Sequence, residues 1–352
     1  MVDLCNVTKN DMIADEKYMQ RALELGQLGI GHVSPNPLVG CVIVHDNVIV
    51  GEGWHRQYGQ AHAEVNAINS LENKSLLSQS TVYVNLEPCA HVGKTPPCAD
   101  LLVESKVKRV VIANEDPNPL VNGKGIQKLL DANIEVETGI CAAEGLQLNK
   151  RFFTFIRNKR PFVILKWAQT ADGFMARENF DSKWISNEYS RQLVHKWRSE
   201  EDAILVGFNT AAKDNPQLTV RDWNGRNPVR IVIDSQLQLS QSLHLFDQSQ
   251  QTICYNLLKE EDKPNLIFSR LAQKNRIDTL LEDLYHRKIQ SVIIEGGAKT
   301  LNLFLEFNQW DEARVFTSGK SFGKGIIAPT ITKTAQFNEN IQGNNLSIYH
   351  NN

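Results

Sequence analysis

Residues 62–98 contain an imidazole, two thiols and a carboxylate at a spacing that can bind and use a zinc ion. His62 and Glu64 belong to the tripeptide HAE, and Cys89 and Cys98 belong to the segment EPCAHVGKTPPC. One histidine and two cysteines provide three ligands for a tetrahedral zinc ion and leave its fourth position open to water. Zinc lowers the pKa of a bound water from about 15.7 toward about 7, and a carboxylate beside the metal can then move protons. The residue types therefore indicate a hydrolytic deaminase in which Glu64 is the proton shuttle.

The two cysteines by themselves are open to other interpretations, which are a disulfide, a structural zinc pair or two unrelated thiols. The His-x-Glu motif upstream and Pro88 directly before the first thiol favour the deaminase hypothesis. In the common deaminase signature two residues separate the cysteines, whereas eight separate Cys89 from Cys98 here. His91 is a candidate fourth ligand, but a catalytic zinc needs an open position, which favours an ordinary loop histidine.

The pattern of apolar residues predicts that the ligands lie where strands lead into helices. Residues 41–54 read as a hairpin. The other predicted elements are helices over 15–29, 62–71, 98–107 and 126–133 and strands over 80–88, 109–116 and 134–140. This order predicts a mixed sheet covered by helices on both faces. In the first turn of a helix, His62 and Glu64 can converge on a site beyond the helix end, where the helix dipole also favours a thiolate.

The second half of the chain again alternates strands and helices, and a change in composition places the domain boundary near residue 157. We therefore expect domains over 1–157 and 158–352. The predicted strands are 162–173, 203–207, 229–235 and 291–297, and the predicted helices are 188–200, 276–289 and 298–308. This alternation predicts a second α/β domain with a largely parallel sheet. Gly296 and Gly297 end a strand before a helix, which suits a phosphate site at the helix N-terminus but also simple tight packing.

Composition limits the classes of function. The chain has 352 residues, 41% of them hydrophobic and 22% charged, and a net charge of −2. This length suggests two domains, and the near-neutral charge gives no general attraction to nucleic acid or anionic membranes. The N-terminal residues lack the apolar core of a signal peptide, and no run of about 18 apolar residues occurs. We therefore expect a cytoplasmic protein, and we interpret Cys5, Cys41, Cys141 and Cys254 as incidental thiols.

The segment EPCAHVGKTPPC, together with SPNPLVGCVIV upstream and DPNPLVNGKG downstream, resembles the riboflavin-biosynthesis bifunctional deaminase/reductase family known as RibD. The resemblance extends over nearly the whole chain. It implies a cytidine-deaminase-like domain followed by a dihydrofolate-reductase-like domain that uses NADPH, with His62, Cys89 and Cys98 as zinc ligands. It also implies deamination of 2,5-diamino-6-ribosylamino-4(3H)-pyrimidinone 5′-phosphate and then reduction of the ribosyl side chain. Members of this family are commonly homo-oligomers.

The resemblance also implies contacts at matching positions. The NADPH contacts would be Ala168, Trp184, Thr210, Asp214, Ser235, Gly297, Ala298, Lys299, Thr300, Leu301, Asn302 and Leu303. The substrate contacts would be Ser182, Arg198, Leu218, Arg221 and Glu295. Planar guanidinium groups suit a sugar phosphate, although surface solvation would also explain the two arginines, and core packing would explain Trp184. Ala168 stands where we expect glycine in many relatives, and its methyl group would crowd the cofactor slightly.

Other residues have weaker support from the sequence. Lys166 is our hypothesis for the group that gives a proton to the opened sugar. Asn36 suits a pyrimidine contact as well as a plain turn, and Asp116, Asn118 and Lys124 suit either the mouth of the same pocket or a solvated loop. Two rival functions are open at this point: a nucleic-acid-editing deaminase, and a deaminase whose second domain is only structural.

Overall fold

A computed structural model describes residues 9–90, 96–179 and 185–351, and the chain divides into two compact units, residues 1–158 and 159–352. The predictions for His91, Ser182 and Trp184 lie outside the described residues. Within those residues, no helix has the length and apolar character needed to cross a membrane.

The first unit contains one mixed sheet in the described residues. Its strands are β1 (Gly40–His45), β2 (Val48–Trp54), β3 (Thr81–Leu86), β4 (Arg109–Asn114) and β5 (Glu135–Thr138). The sheet order is β2-β1-β3-β4-β5; β1 is antiparallel to β2 and β3, and the other pairs are parallel. The helices are α1 (Lys9–Gln27), α2 (Ala63–Ser70), α3 (Cys98–Glu104), α4 (Lys124–Asp131), α5 (Ala142–Leu148) and α6 (Lys150–Asn158). Helices α5 and α6 were not predicted from the sequence.

Helices cover both faces of this sheet because successive strand residues point to opposite sides. Ile43 of β1 packs in a buried cluster with Ala67 of α2 and Leu102 of α3. Its neighbour Val42 belongs to a second cluster, which includes Met19 of α1. The predicted mixed sheet with helices on both faces is confirmed.

Helix α2 lies directly on strand β2, because two glycines of β2 leave room for the helix backbone. A Cβ atom at Gly53 would lie 2.3 Å from the backbone nitrogen of Ala67 and 2.6 Å from the carbonyl oxygen of Ala63. A Cβ atom at Gly51 would lie 2.8 Å from the carbonyl oxygen of Ala67. No side chain other than hydrogen fits at these positions unless the helix moves away from the sheet.

The second unit contains a larger sheet. The strands that follow in chain order are β6 (Phe162–Gln169), β7 (Phe174–Ala176), β8 (Ala203–Gly207), β9 (Val229–Ile233), β10 (Thr252–Asn256), β11 (Glu261–Lys263), β12 (Leu266–Arg270), β13 (Ser291–Ile294), β14 (Glu312–Ser318), β15 (Ile326–Ile327), β16 (Phe337–Ile341) and β17 (Asn344–His350). The helices are α7 (Glu188–Glu200), α8 (Phe208–Asp214), α9 (Arg276–His286) and α10 (Ala298–Glu306).

The order of the large sheet is β11-β12-β10-β9-β8-β13-β6-β14-β17-β16, and β7 pairs with β15 as a separate two-stranded ribbon. The central pairs from β12 to β14 are parallel, whereas β11, β17 and β16 join antiparallel at the two edges. The predicted, largely parallel sheet is confirmed. Helix α8, strand β7 and the strands of 252–270 and 312–350 were not predicted.

We predict that Gly53→Ala lowers the free energy of unfolding of the first unit by about 1–3 kcal/mol, because the new methyl group forces α2 away from β2. Thermal unfolding of the full chain, followed by circular dichroism, measures this effect. Gly319→Ala is the matched control, since a Cβ atom there meets no other atom within 4 Å. Equal unfolding temperatures for the two variants would contradict this account of the packing.

Candidate metal centre and reductase cleft

The side chains of His62, Cys89 and Cys98 converge in the first unit. Their ligand atoms all lie within 4.8 Å of one another. The Nδ1 atom of His62 is 3.6 Å from the Sγ atom of Cys89 and 3.3 Å from the Sγ atom of Cys98. In a tetrahedral zinc site, sulfur and nitrogen ligands are about 3.5 Å apart. The donor set and its spacing therefore fit zinc.

Two helix N-termini and one strand end supply these ligands. His62 precedes the first residue of α2, and Cys98 is the first residue of α3. Cys89 follows β3, and its sulfur accepts a hydrogen bond of 3.3 Å from the backbone N–H of Cys98. The free N–H groups and the positive dipole end of a helix stabilise a thiolate.

The two thiols share a proton unequally. The hydrogen bond from the Cys98 thiol, followed by those from His62 and the Cys98 backbone, lowers the pKa of Cys89 to about 4 despite its burial. Because the Cys98 thiol donates to that thiolate, its own pKa is raised. The pair thus holds one proton, which a bound metal ion displaces because the metal ligand is the thiolate.

Glu64 lies beside the three ligands. It is in the first turn of α2 and only 3% exposed. Burial, and next the negative charge of Cys89, raise the pKa of its carboxyl group above the usual value. A carboxylate with a raised pKa binds a proton more strongly than an ordinary glutamate does, which makes it a better proton acceptor. This environment suits the predicted proton shuttle.

A cavity of about 300 Å³ opens next to the ligands, and Glu64 and Cys89 line it. Asn36, Asp116 and Asn118 also line it, as their sequence positions suggested. Lys124 does not line this cavity, because its Nζ atom donates to the carbonyl oxygens of Pro119 and Leu120 in its own loop. The structure therefore favours the interpretation of Lys124 as a residue of a solvated loop over its placement at the mouth of the pocket.

His55 is a cavity residue that the sequence analysis missed. Its Nδ1 atom lies 3.1 Å from the carbonyl oxygen of Ala61 and must donate to it, so its Nε2 atom accepts from the Asn36 amide at 3.0 Å. These two bonds require a neutral ring with the proton on Nδ1. Burial lowers the pKa of His55, which keeps the ring neutral and the Asn36 carboxamide in one orientation.

Glu87 is a second residue that the sequence analysis missed. Its buried carboxylate accepts four backbone N–H groups at 2.9–3.3 Å, those of Asp116, Gly123, Gly125 and Ile126. These bonds hold the loop that brings Asp116 and Asn118 to the cavity. Burial, with a contribution from Glu87, raises the pKa of Asp116 to about 6.

The second unit has a cleft of about 750 Å³ at the carboxyl ends of its parallel strands. Eight of the predicted NADPH contacts line it, namely Thr210, Asp214, Ser235, Gly297, Ala298, Lys299, Thr300 and Leu303. Three others do not: Leu301 is buried in the apolar core, Ala168 packs against a second core cluster, and Asn302 is outside the lining. Thr210 accepts a 2.9 Å hydrogen bond from the N–H of Gly297. Because Ala298 and Lys299 line the cleft, the N-terminus of α10 faces it, and the N–H groups that follow Gly297 suit a cofactor phosphate.

Glu295 lines the same cleft and binds two half-buried cations. The Nε and Nη2 atoms of Arg198 each donate to its carboxylate at 2.8 Å, and the Nζ atom of Lys166 lies 3.5 Å away. Although burial opposes ionisation, Arg198 and then Lys166 lower the pKa of Glu295 to about 2. Burial, against the attraction of Glu295, lowers the pKa of Lys166, so this ammonium releases its proton more readily than an ordinary lysine.

Leu218 and Arg221, the other predicted substrate contacts in the described residues, share the segment between α8 and β9. Leu218 is buried, and Arg221 is exposed with its guanidinium 3.0 Å from the Thr219 hydroxyl. Arg198 donates to the carbonyl oxygen of Thr219 at 3.2 Å. The guanidinium of Arg198 is thus engaged with Glu295 and this segment.

Comparison with known proteins assigns a class to each unit. Residues 12–114 match the cytidine and deoxycytidylate deaminase zinc-binding region, and residues 161–350 match the RibD C-terminal domain. The fold and the sites define an enzyme with a zinc-binding deaminase domain and an NADPH-using reductase domain.

The chain belongs to the RibD family of riboflavin biosynthesis proteins. It is 40% identical to the RibD protein of Aquifex aeolicus over 318 residues, which cover 89% of each chain. It is 41% identical to that of Bacillus amyloliquefaciens over 327 residues, covering 90% of this chain and 87% of the relative. The crystal structure of a diaminohydroxyphosphoribosylaminopyrimidine deaminase/5-amino-6-(5-phosphoribosylamino)uracil reductase from Thermotoga maritima is 38% identical, with a TM-score of 0.88 over 96% of this chain and 99% of that one.

This membership makes the chain a bifunctional deaminase/reductase of riboflavin biosynthesis that uses zinc and NADPH. The C-terminal half of the chain is the reductase domain. A nucleic-acid-editing deaminase would not explain this half.

We predict that Cys89→Ser loses the zinc that the purified wild-type chain binds at about one ion per chain, because a serine hydroxyl is not a zinc ligand of comparable strength. Metal content after dialysis, measured by mass spectrometry, tests this assignment. Cys254→Ser is the matched control, since this buried thiol lies on β10 in the other unit. Full zinc occupancy in Cys89→Ser would show that the ligand set is wrong.

Proposed function

We propose that the two sites act consecutively on one phosphorylated pyrimidine. The first site would hydrolyse 2,5-diamino-6-ribosylamino-4(3H)-pyrimidinone 5′-phosphate to 5-amino-6-(5-phosphoribosylamino)uracil and ammonia. The second would reduce the ribosyl side chain of that product to the ribityl form. The observation that carries this proposal is the convergence of His62, Cys89 and Cys98 beside the buried Glu64 in a cavity sized for a small ring. The substrates named for the Thermotoga maritima relative support it.

In the first step, the amino group on a ring carbon is replaced by the oxygen of water. Zinc, when bound by the three ligands, supplies the Lewis acid that makes water a nucleophile at neutral pH. The Glu64 carboxylate takes one proton from that water and gives it to the ring nitrogen. It then takes the second proton from the added hydroxyl group and gives it to the amino group, which departs as ammonia while the hydroxyl becomes the ring carbonyl. Asn36, Asp116 and Asn118 would bind the polar edge of the pyrimidine, and His55 holds the Asn36 amide for this contact.

In the second step, the sugar is reduced at C1′. NADPH, when bound in the cleft, supplies the hydride. The N–H groups at the start of α10 would hold a cofactor phosphate there. The Lys166 ammonium would give a proton to the opened sugar, and Glu295 would keep Lys166 in place through their 3.5 Å contact. Arg198 and Arg221 would place the substrate, with Ser182 and Trp184 as further predicted contacts.

Three statements about this chain stay predictions: that its substrate is phosphorylated, that it forms a homo-oligomer and that it is cytoplasmic.

We predict that Glu64→Gln lowers the rate of ammonia release by about 10²–10⁴-fold, because glutamine cannot transfer the proton. Zinc content and reduction of the deaminated substrate should stay at wild-type levels, which separates the proton role from metal binding. Ammonia release from the diaminopyrimidinone phosphate is the measurement. Ammonia release at the wild-type rate in Glu64→Gln would show that Glu64 is not the proton shuttle.

We predict that Lys166→Met lowers reductase turnover by about 10²-fold or more, while ammonia release is unaffected. Because Lys166 acts as an acid whose pKa is lowered, wild-type turnover should fall as pH rises through that pKa, and this alkaline limb should be absent in the variant. NADPH oxidation with the deaminated substrate measures both effects. The control is Lys274→Met, an exposed lysine. Undiminished turnover in Lys166→Met would refute the acid assignment.

A further inference from the structure

The segment between α8 and β9 carries two of the proposed substrate contacts, Leu218 and Arg221, and we call residues 215–222 the substrate loop. Its backbone is strained at one point, because Leu218 has a φ of 55° and its side chain is buried. A bulky residue adopts this left-handed conformation only when the surrounding structure imposes it. The contacts that hold the loop therefore decide where Arg221 lies.

Two of these contacts come from arginine and asparagine side chains. Arg198 donates to the carbonyl oxygen of Thr219 at 3.2 Å, and the backbone N–H of Val220 donates to the Asn227 side chain at 2.8 Å. A further contact comes from His195. This histidine is buried on α7, one turn before Arg198.

The Nδ1 atom of His195 accepts a hydrogen bond of 3.2 Å from the backbone N–H of Arg221. A ring nitrogen that accepts a hydrogen bond carries no proton, so the proton of the neutral ring is on Nε2. The Nε2 atom lies 3.5 Å from a carboxylate oxygen of Asp222. His195 thus contacts two consecutive loop residues through opposite sides of one ring, the backbone N–H of Arg221 and the side-chain carboxylate of Asp222.

We propose that His195 is a positioning residue of the reductase. Its unprotonated Nδ1 atom holds the substrate loop so that Arg221 and Leu218 meet the phosphorylated sugar. This inference rests on the proposed role of the loop in substrate binding. His195 itself touches neither substrate nor cofactor, so its loss weakens substrate binding and leaves the chemical step intact.

Protonation of His195 breaks this arrangement, because Nδ1 then carries a hydrogen that points at the N–H of Arg221. The charged groups around the ring are Arg198 on its own helix, Arg221 and Asp222 on the loop, and Glu295 after β13. Burial first, and then Arg198, lower the pKa of His195, whereas Asp222 and Glu295 oppose them. The loop is therefore held at neutral pH and released as pH falls through this lowered pKa.

The test compares His195→Asn with His195→Phe. The Oδ1 atom of asparagine can take the place of Nδ1 as an acceptor and does not titrate, whereas phenylalanine keeps a ring and has no acceptor. Four quantities are measured for each full-length variant: the KM and kcat of the reductase for the deaminated substrate, the Kd for NADPH, and hydrogen exchange at the Arg221 amide.

We expect His195→Phe to raise KM by about tenfold, the equivalent of one lost hydrogen bond, and to deprotect the Arg221 amide. Its kcat and its affinity for NADPH should stay within about twofold of wild type, which shows that the domain is folded. His195→Asn should restore most of the KM and the protection. It should also remove the rise in KM that the wild type shows on acidification.

Equal increases of KM in both variants would mean that packing matters and the acceptor does not, and would overturn the proposal. Unchanged exchange of the Arg221 amide in His195→Phe would overturn it as well. The variant Arg221→Gln tests separately whether the substrate loop binds the substrate. An unchanged KM in Arg221→Gln would refute the substrate assignment of the loop, and this inference with it. If instead Arg221→Gln raises KM and His195→Phe does not, only the positioning role fails.

Discussion

The direct contact between the backbone of α2 and strand β2 determines the geometry of the metal centre. Gly51 and Gly53 let the helix backbone lie directly on the strand, and the N-terminus of α2 therefore lies at the same end of the sheet as the carboxyl end of β3. His62 and Glu64 enter the site from α2, and Cys89 enters from the end of β3. Because Cys98 begins α3, a second helix dipole reaches the same point and stabilises the thiolate that zinc requires. The chemistry of the first unit thus depends on a packing distance that only glycine permits.

Both units place charge in buried positions and use fixed hydrogen bonds to control its protonation. In the first unit, burial raises the pKa of Glu64, so that its carboxylate binds a proton more strongly than an ordinary glutamate does. In the second unit, the ionised Glu295 is held between Arg198 and Lys166, and burial makes Lys166 a stronger acid. The two steps need different proton chemistry, and each site obtains it from ordinary residue types through burial and neighbouring charge.

The sequence predicted those site residues whose function follows from residue type and local spacing. The proposed ligands His62, Cys89 and Cys98 and the proposed shuttle Glu64 are close in sequence and belong to recognisable motifs. His55, Glu87 and His195 were not found, because each acts on a group that only the fold brings near. For His55 this group is the Asn36 carboxamide, and for Glu87 and His195 it is backbone N–H; His195 meets Arg221 26 positions later. The hairpin β16–β17 was missed for a related reason. Strand β16, with the sequence FNENI, is an exposed edge strand and lacks the apolar alternation that marks a half-buried strand.

The central claim is that one chain performs two consecutive steps at two sites, with deamination first. The most direct measurement follows ammonia and NADPH in one reaction of the purified chain with the diaminopyrimidinone phosphate. The account predicts ammonia release without NADPH and, when NADPH is present, oxidation of about one NADPH for each ammonia after an initial lag. NADPH oxidation that precedes ammonia release, or ammonia release with no oxidation at all, would contradict it.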